Sequence, residues 1–273
     1  GSSHGVTRIL RLPQFKHPDY VPLVRRSLDL WTDLEAEHDR QLFYPVGTLD
    51  FGPPDSDVFT GSRESCTVHG LEHTVLTGRE LTEHPGGLDL PDEYRAVYQP
   101  DGGFVHAEQS VVAHVRAAQD RGATIRARER VRDWDADESG VRVVTDRGTY
   151  SEDTLVTTVG SWTGELFPTL DPLLTPERQV LGWFQPTDPD RFAPENFPVF
   201  VAGVPEGNYY GFPSFEVPGF KFGKHHHRNE TGPVADVRHE PTREDEAVLR
   251  QFADAYAPAG TGPTMRLVDC LYT

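Results

Sequence analysis

The segment GGFVHAEQSVVAHVRAAQDRGATIRARERVRDWDADESGVRVVTDRGTYSEDTLVTTVGSWT, residues 102–163, is the part of the sequence that decides the fold class. Its first part has the apolar spacing of an amphipathic helix, which we expect to run from about Ala107 to Asp120 and to end at Gly122. Short apolar runs separated by turn residues follow this helix. They predict strands around Ile125 and at residues 131–135, 141–145 and 154–159.

The order of these elements predicts an α/β fold that contains a parallel sheet. The two middle strands form a short meander between strands of that sheet, as they do in dinucleotide-binding folds. Such a fold also needs an opening strand, a G-x-G-x-x-G turn and a helix whose N-terminus holds a pyrophosphate. The sequence contains no such segment. Either the fold differs from this expectation or the sequence is a fragment of a longer protein.

Other segments complete the prediction of the fold. An amphipathic helix in YVPLVRRSLDLWTDLEAEHDR precedes two short strands in LFYPVGTLDFG, and TGRELTEHPG predicts a short capped helix that ends near Pro85. From residue 172 to residue 218 the sequence becomes rich in Pro, Phe and Gly, with short strand-like runs that predict a second, mainly antiparallel sheet. A last amphipathic helix lies in TREDEAVLRQFADAYAP, with Thr242 as its N-cap.

The composition restricts the possible functions. The net charge is -17, and only three of the 26 basic residues are lysines, which is typical of salt-adapted, halophilic proteins. A surface of this charge repels nucleic acid and anionic lipid. The mean hydropathy is -0.53 and no apolar run approaches 20 residues, so we expect no membrane span. The two cysteines give no disulfide framework, and with no signal peptide in the sequence the expected location is the cytoplasm.

Two groups of basic residues could bind an anion. Arg8 and Arg11 are three residues apart and close to His4, so their guanidinium groups could converge on a carboxylate, although such a pair is more often a solvated surface. Lys221 alternates with Phe220 and Phe222 in a strand-like run. Because the chain has few lysines, one that lies among aromatic residues predicts a functional role.

The histidines and cysteines have weaker signals when they are considered alone. The run 225–227 consists of three histidines, but alternate strand residues point to opposite faces and no zinc-finger spacing is present, so we expect no metal site. Cys270 lies in the apolar run LVDCLYT, where a buried unreactive thiol is the ordinary interpretation. Cys66 lies in the polar run SRESCTVHG and has no predicted role.

Taken together, these motifs resemble the monomeric sarcosine oxidase and N-methyltryptophan oxidase family of FAD-dependent amine oxidases. The resemblance begins with GSSHGVTRILR at residues 1–11 and continues, in order, through GTLDFG, GATI, LVTTVGSWT, PERQVLGWF, YYGFPSF, GFKFGKHH and CLYT. Family members begin with a segment that carries the G-x-G-x-x-G turn and end with a further segment, so the resemblance implies that this sequence lacks both. The chain departs from the family at Ser3, where many members have His, and at Val6, where bacterial members often have Asp.

The resemblance implies a set of residues around the flavin. His4 and Arg8 would lie against the ring, and Lys221 would lie under flavin N5, with a water molecule between them. Cys270 would form a thioether with the flavin 8α-methyl group, so that the FAD is covalently bound.

The resemblance also implies a set of residues around the substrate. Arg11 would pair with the carboxylate of an amino acid, and Tyr210 and Phe212 would form walls of the pocket. His225 would contact the amine side of the substrate. Tyr272 would lie beside the thioether of Cys270 and would belong to the substrate-binding residues. A second Lys that completes the carboxylate site in the family lies outside this sequence.

Residues more distant from the chemistry follow from the same resemblance. Val131 would belong to the adenine-side backbone contacts, and the turn that contains Gly160 and Trp162 would lie near the flavin. The chain would then divide into an incomplete Rossmann-like FAD-binding domain, residues 1–173, and a mainly antiparallel substrate domain, residues 174–273.

The implied reaction is the oxidation of an N-methyl or secondary amino acid, such as sarcosine or N-methyltryptophan. The amine becomes an imine that water hydrolyses to an aldehyde and an amine, and O2 is reduced to H2O2. The expected partners are this small substrate and O2, with no nucleic acid, no membrane and a monomeric chain. Two alternatives stay open: a dehydrogenase that uses an acceptor other than O2, and a fragment without catalytic activity.

Overall fold

The computed structural model describes residues 2–83 and 88–273. Within these residues the α-helices are Val21–His38 (α1), Asp57–His69 (α2), Gly78–Thr82 (α3), Ala107–Asp120 (α4), Thr163–Leu166 (α5) and Arg243–Tyr256 (α6). The strands are Thr7–Leu10 (β1), Phe43–Tyr44 (β2), Thr48–Gly52 (β3), Thr74–Thr77 (β4), Arg95–Gln99 (β5), Gly103–His106 (β6), Val131–Asp137 (β7), Gly140–Thr145 (β8), Thr149–Glu152 (β9), Glu177–Phe184 (β10), Val199–Val204 (β11), Gly207–Phe212 (β12), Phe220–Lys224 (β13), Glu230–Thr231 (β14) and Thr264–Tyr272 (β15). This mixture of helices and strands confirms the α/β (α+β) class.

A large sheet forms the centre of the described chain. Its strands have the order β14-β10-β13-β12-β11-β3-β5-β4, and β15 pairs with the other edge of β10. Strands β10 to β13 are antiparallel, as predicted, whereas β11 and β3 run parallel with Val199 opposite Thr48. Residues on both sides of position 173 therefore contribute strands to the same sheet. The division into domains 1–173 and 174–273 stays a prediction.

Two small sheets flank the large one. The first has the order β1-β6-β2, and it places the N-terminal motif beside the start of α4. The second is the antiparallel meander β7-β8-β9, in which β7 and β8 confirm the strands predicted at 131–135 and 141–145, whereas β9 was not predicted. The strands predicted around Ile125 and at residues 154–159 are wrong, because neither segment is a strand in the structure. Ile125 is 45% exposed and Val156 is 80% exposed, and no described strand pairs with either segment, so their apolar residues gain no ladder hydrogen bonds.

The helix ends follow the predicted capping chemistry. The hydroxyl of Thr242 accepts from the Asp245 N–H and the Asp245 carboxylate accepts from the Thr242 N–H, which forms a capping box at the start of α6. The same reciprocal pair joins Thr77 and Glu80 at the start of α3. Helix α3 ends at Thr82, and the predicted end near Pro85 lies outside the described residues.

Alternation along the strands gives the large sheet two different faces. Phe200, Tyr209 and Phe222 point to one face, where they pack with Phe252 of α6 in an aromatic core. The alternate residues of these strands and of β3 point to the opposite face, towards β1 and α2. They include Asp50, Val201, Tyr210, Phe212 and Lys221. This second face carries the polar groups from which the candidate site is built.

Candidate active site

A cavity of about 450 Å³ lies between β1, the second face of the large sheet and the end of β15. Many of the residues predicted from the sequence line it, namely Arg8, Arg11, Tyr210, Phe212, His225, Cys270 and Tyr272. These residues come from the first strand, from the middle of the sheet and from the last strand. The fold therefore brings together groups that are as much as 264 positions apart, from residue 8 to residue 272.

Arg8 lines the cavity and is held by backbone oxygens. Its Nη2 donates to the carbonyls of Ser2 at 2.7 Å and His4 at 3.0 Å. The guanidinium has no carboxylate partner among the described residues, so its charge is available to a bound anion or to the electron-rich edge of a ring.

Arg11 also lines the cavity and is anchored through one nitrogen. Its Nη1 donates to the carboxylate of Asp50 at 3.0 Å and also to the carbonyl of Pro13, and its guanidinium lies over the ring of Phe15. Nε and Nη2 have no protein acceptor in the described part of the chain. This unoccupied edge has the geometry that binds a carboxylate through two parallel hydrogen bonds.

His225 and Tyr272 form a hydrogen-bonded pair on the opposite wall, with Tyr272 Oη 2.9 Å from His225 Nδ1. Burial lowers the pKa of His225 to about 4, so the imidazole is neutral at physiological pH. Burial also raises the pKa of Tyr272 and of the adjacent Tyr210, so both phenols keep their protons. The wall therefore presents neutral donors and acceptors.

Cys270 contributes a free thiol to the cavity. Cys270 is 8% exposed, and its Sγ has only weak contacts, with the carbonyl of Ser2 at 4.0 Å and with that of Leu271 at 3.8 Å. The second thiol, Cys66, is fully buried in α2, and burial raises its pKa to about 12. Of the two, only Cys270 lies where a cavity ligand could reach it.

Lys221 lies behind the cavity wall and does not line it. Its Nζ donates to Gly5 O at 2.6 Å, to Thr7 Oγ1 at 2.8 Å and to Thr7 O at 3.0 Å, and it lies 4.1 Å from the ring centroid of Phe212. Burial lowers its pKa well below the usual value for lysine, but three oxygen acceptors match the three N–H groups of an ammonium ion. Its alternation with Phe220 and Phe222 confirms the predicted strand.

The motif residues before β1 are held in a strained turn. Val6 has φ of 69°, which is rare for a β-branched residue, and its N–H together with that of Gly5 donates to the Glu108 carboxylate. His4 is half-buried, and burial is the largest cause of its lowered pKa. This turn supplies the carbonyls that hold Arg8 and Lys221.

Other predicted site residues lie away from the cavity. Val131 starts β7 and is 40% exposed, and Trp162 is 39% exposed in the helical turn Gly160–Trp162. This turn is connected to the end of β15 by a hydrogen bond between Ser161 Oγ and Thr273 Oγ1. The structure does not bring these residues to the cavity, and their roles stay predictions.

The histidine run separates into three environments. His225 faces the cavity, His226 pairs with Glu177 at 2.7 Å, and His227 lies 3.3 Å from Asp245. Across residues 2–83 and 88–273, no group of three His, Cys, Asp or Glu side chains is placed to hold a metal ion.

Sequence reasoning missed several residues of the site. The most informative is Asp50, which is fully buried and bonded to Arg11. A carboxylate in the otherwise apolar strand TLDFG was a usable signal, because charged side chains are rarely fully buried unless they are paired. The other missed residues are uncharged wall residues, namely Ser2, Ile9, Leu10, Gln14, Phe15, Val24, Val201 and Leu271.

Comparison with known proteins shows the family of the chain. The sequence matches the DAO family, described as FAD dependent oxidoreductase, over residues 1–272. The chain belongs to this family. It is 34% identical over 277 residues to the monomeric sarcosine oxidase of a Bacillus species, covering all of this chain and 72% of that protein. It is 36% identical over 228 residues to the N-methyl-L-tryptophan oxidase of Yersinia pestis, covering 83% of this chain and 60% of that protein.

A solved structure with the same fold is that of NikD, an unusual amino acid oxidase essential for nikkomycin biosynthesis. The TM-score is 0.82 at 25% identity, over 99% of this chain and 72% of NikD. These matches confirm the DAO fold and the family that the sequence motifs indicated. No described helix of this DAO-family chain has the length and apolar character needed to cross a membrane.

The side chains of the cavity suit the FAD of the family. A free thiol, a guanidinium with no carboxylate partner and a buried ammonium all lie at or directly behind the same wall. A flavin ring is stabilised by cationic or N–H groups near its electron-rich carbonyl edge, where negative charge builds up on reduction, and this wall supplies such groups. The residues that would hold the ring are Arg8, Cys270 and the turn that contains His4.

Proposed function

We propose that this protein oxidises an N-methyl or other secondary amino acid to an imine, which water hydrolyses to an aldehyde and an amine, while O2 is reduced to H2O2. The observation that carries the proposal is the convergence of Arg11, the Tyr272–His225 pair and Cys270 on one cavity. These groups provide a carboxylate site, a polar wall for an amine and a thiol that can anchor the cofactor. The names of the sarcosine and N-methyl-L-tryptophan oxidases that the chain resembles support the same reaction.

Arg11 orients the substrate. Its free Nε and Nη2 edge binds the substrate carboxylate, and its anchored Nη1 keeps the guanidinium from rotating. FAD, when bound, accepts the two electrons that leave the amine and passes them to O2. Because the carboxylate is fixed, the α-substituents of the amino acid have one orientation in the cavity, which is a contribution of positioning.

The charges of the cavity favour the neutral amine. Arg8 and Arg11 are cationic, and His225 is uncharged because its pKa is about 4. A cationic environment disfavours an ammonium group and so lowers the pKa of the bound amine. The neutral amine has the lone pair that the oxidation needs, and His225 with Tyr272 can hydrogen-bond to it without adding charge.

We further propose that Cys270 attaches the FAD through a thioether to its 8α-methyl carbon. Cys270 would hold the cofactor by an S–C bond that would replace the thiol S–H and one methyl C–H, and the flavin would take up the two electrons and two protons released. The cavity position and weak hydrogen bonding of Sγ support this role. A tether at this edge would also shift the reduction potential of the cofactor.

The test is acid precipitation of the FAD-loaded protein, with flavin absorbance measured in the pellet and in the supernatant. We expect flavin in the pellet for the wild type and in the supernatant for Cys270→Ala. Cys66→Ala is the matched control, since Cys66 is buried away from the cavity, and its flavin should stay in the pellet. Flavin in the wild-type supernatant would reject the covalent bond.

The reaction itself is tested by peroxide release. The FAD-loaded protein is supplied separately with sarcosine, N-methyltryptophan, pipecolate and proline, and H2O2 is measured with a coupled peroxidase. Turnover of one or more of these with peroxide supports the proposal. Turnover only with an artificial electron acceptor would instead assign a dehydrogenase, and no turnover with any acceptor would reject the proposed function.

A further inference from the structure

We infer that Asp50 is a positioning residue that holds Arg11 with its free edge towards the cavity, and that it thereby makes the site selective for substrates with a carboxylate. The inference rests on the proposed function. Asp50 does not itself line the cavity. It acts through the guanidinium that does.

The geometry of Asp50 fixes the orientation of Arg11. Asp50 lies in β3 between Val97 of β5 and Val201 of β11, and its side chain is 0% exposed. Its Oδ2 accepts from Arg11 Nη1 and from the hydroxyl of Ser62 in α2. A strand and a helix thus hold the carboxylate in place, and the carboxylate in turn holds one nitrogen of Arg11.

A purely structural role explains these contacts less well. Burying a carboxylate is costly, and an apolar residue that fits between Val97 and Val201 would avoid that cost. Asp50 also leaves Oδ1 buried with no partner in the described part of the chain, so the pair is not a fully satisfied network. What the pair gains is a guanidinium that lines the cavity with Nη1 bound and with Nε and Nη2 lacking an acceptor in the described part of the chain.

A role of Asp50 in neutralising Arg11 and a role in positioning it predict opposite changes in the affinity for anions, and the experiment can separate the two roles. If Asp50 only neutralised Arg11, its removal would strengthen the attraction of the cavity for anions. If Asp50 positions Arg11, its removal lets the guanidinium rotate and weakens binding of a carboxylate. The sign of the change in affinity therefore distinguishes the two roles.

The experiment is isothermal titration calorimetry of the FAD-loaded protein with two probes, glycolate and its uncharged analogue glycolamide. For Asp50→Asn, which keeps the size of the side chain, we expect glycolate affinity to fall by roughly tenfold or more, because a misplaced binding group is costly. Glycolamide affinity should change by less than about twofold. Ser62→Ala removes one of the two donors to Asp50 and should give a smaller loss with glycolate.

Controls keep the outcomes distinct. Asp92→Asn removes the carboxylate of an exposed ion pair with Arg79 outside the cavity, and it should leave both affinities unchanged. Unchanged or stronger glycolate binding by Asp50→Asn, or an equal loss for both probes, would overturn the inference. Arg11→Ala tests the proposed function separately: if it keeps wild-type glycolate affinity, the carboxylate site itself is wrong.

Discussion

Replacement of Asp245 by Asn should destabilise the protein strongly, because Asp245 neutralises a buried arginine. Arg178 is 2% exposed, and its Nη1 and Nη2 donate to the two oxygens of Asp245 at 3.0 and 2.9 Å. In the Asn variant one of these oxygens becomes an NH2 group that faces a guanidinium N–H. Arg178 keeps the carbonyls of Arg238 and Glu240 and the half-buried Glu230.

The magnitude follows from these remaining contacts. Loss of one partner of a buried ion pair costs about 3–5 kcal/mol, and we expect the lower end because Glu230 still contributes charge. The weakened capping box at Thr242 adds roughly 0.5–1 kcal/mol. The free energy of unfolding should therefore fall by about 4 kcal/mol in total.

The assay is equilibrium urea unfolding followed by tryptophan fluorescence, with the midpoint and slope compared between variants. Asp254→Asn is the matched control, because Asp254 is exposed on the same helix, and it should change stability by less than about 0.5 kcal/mol. The double variant Arg178→Met with Asp245→Leu should recover much of the loss, since it removes both charges. An Asp245→Asn protein within about 1 kcal/mol of the wild type would refute this reasoning.

Three further predictions follow from groups around the cavity and the sheet. Lys221→Met should slow reoxidation of the reduced enzyme by O2 by roughly a hundredfold while reduction by substrate changes little, as measured by anaerobic and aerobic stopped-flow absorbance, because it removes a buried cation near the wall. Burial lowers the pKa of His227 to about 4 from an ordinary 6.5, so between these values the unfolded chain binds a proton that the native state does not. As the pH is lowered from 6.5 towards 4, the free energy of unfolding should therefore fall by about 1.4 kcal/mol per pH unit, and His227→Gln should flatten that slope in urea titrations. Val6→Asn should raise the melting temperature, equivalent to about 1 kcal/mol, because Asn tolerates the φ of 69°, and an unchanged melting temperature would contradict a strained Val6.

Local patterns predicted local structure well. Helix α4 has the predicted bounds of Ala107 and Asp120, and the predicted cap of α6 at Thr242 is present with its reciprocal partner. The turn residues between its apolar runs predicted the meander. These features depend on periodicity and capping within a few residues, and both are visible in the sequence.

Features that depend on distant partners could not be predicted. An apolar run such as residues 154–159 has the composition of a strand, but a strand forms only where another strand supplies hydrogen bonds. The position of Lys221 behind Phe212 depends on the turn at Gly5 and Thr7, more than 200 residues away. The role of Asp50 becomes visible only once β3 lies beneath Arg11.

The parallel pairing of β3 with β11 also affects how the protein acquires its cavity. Thr48 must find Val199 across about 150 residues of intervening chain, and Ser2 bonds to Leu271 across 269. Contacts of such separation form slowly, because the loops they close are long. The hairpins β7-β8 and β11-β12 can form early, whereas the cavity forms only when the first and last strands meet. A partly folded intermediate would hence contain native hairpins before it has a binding site.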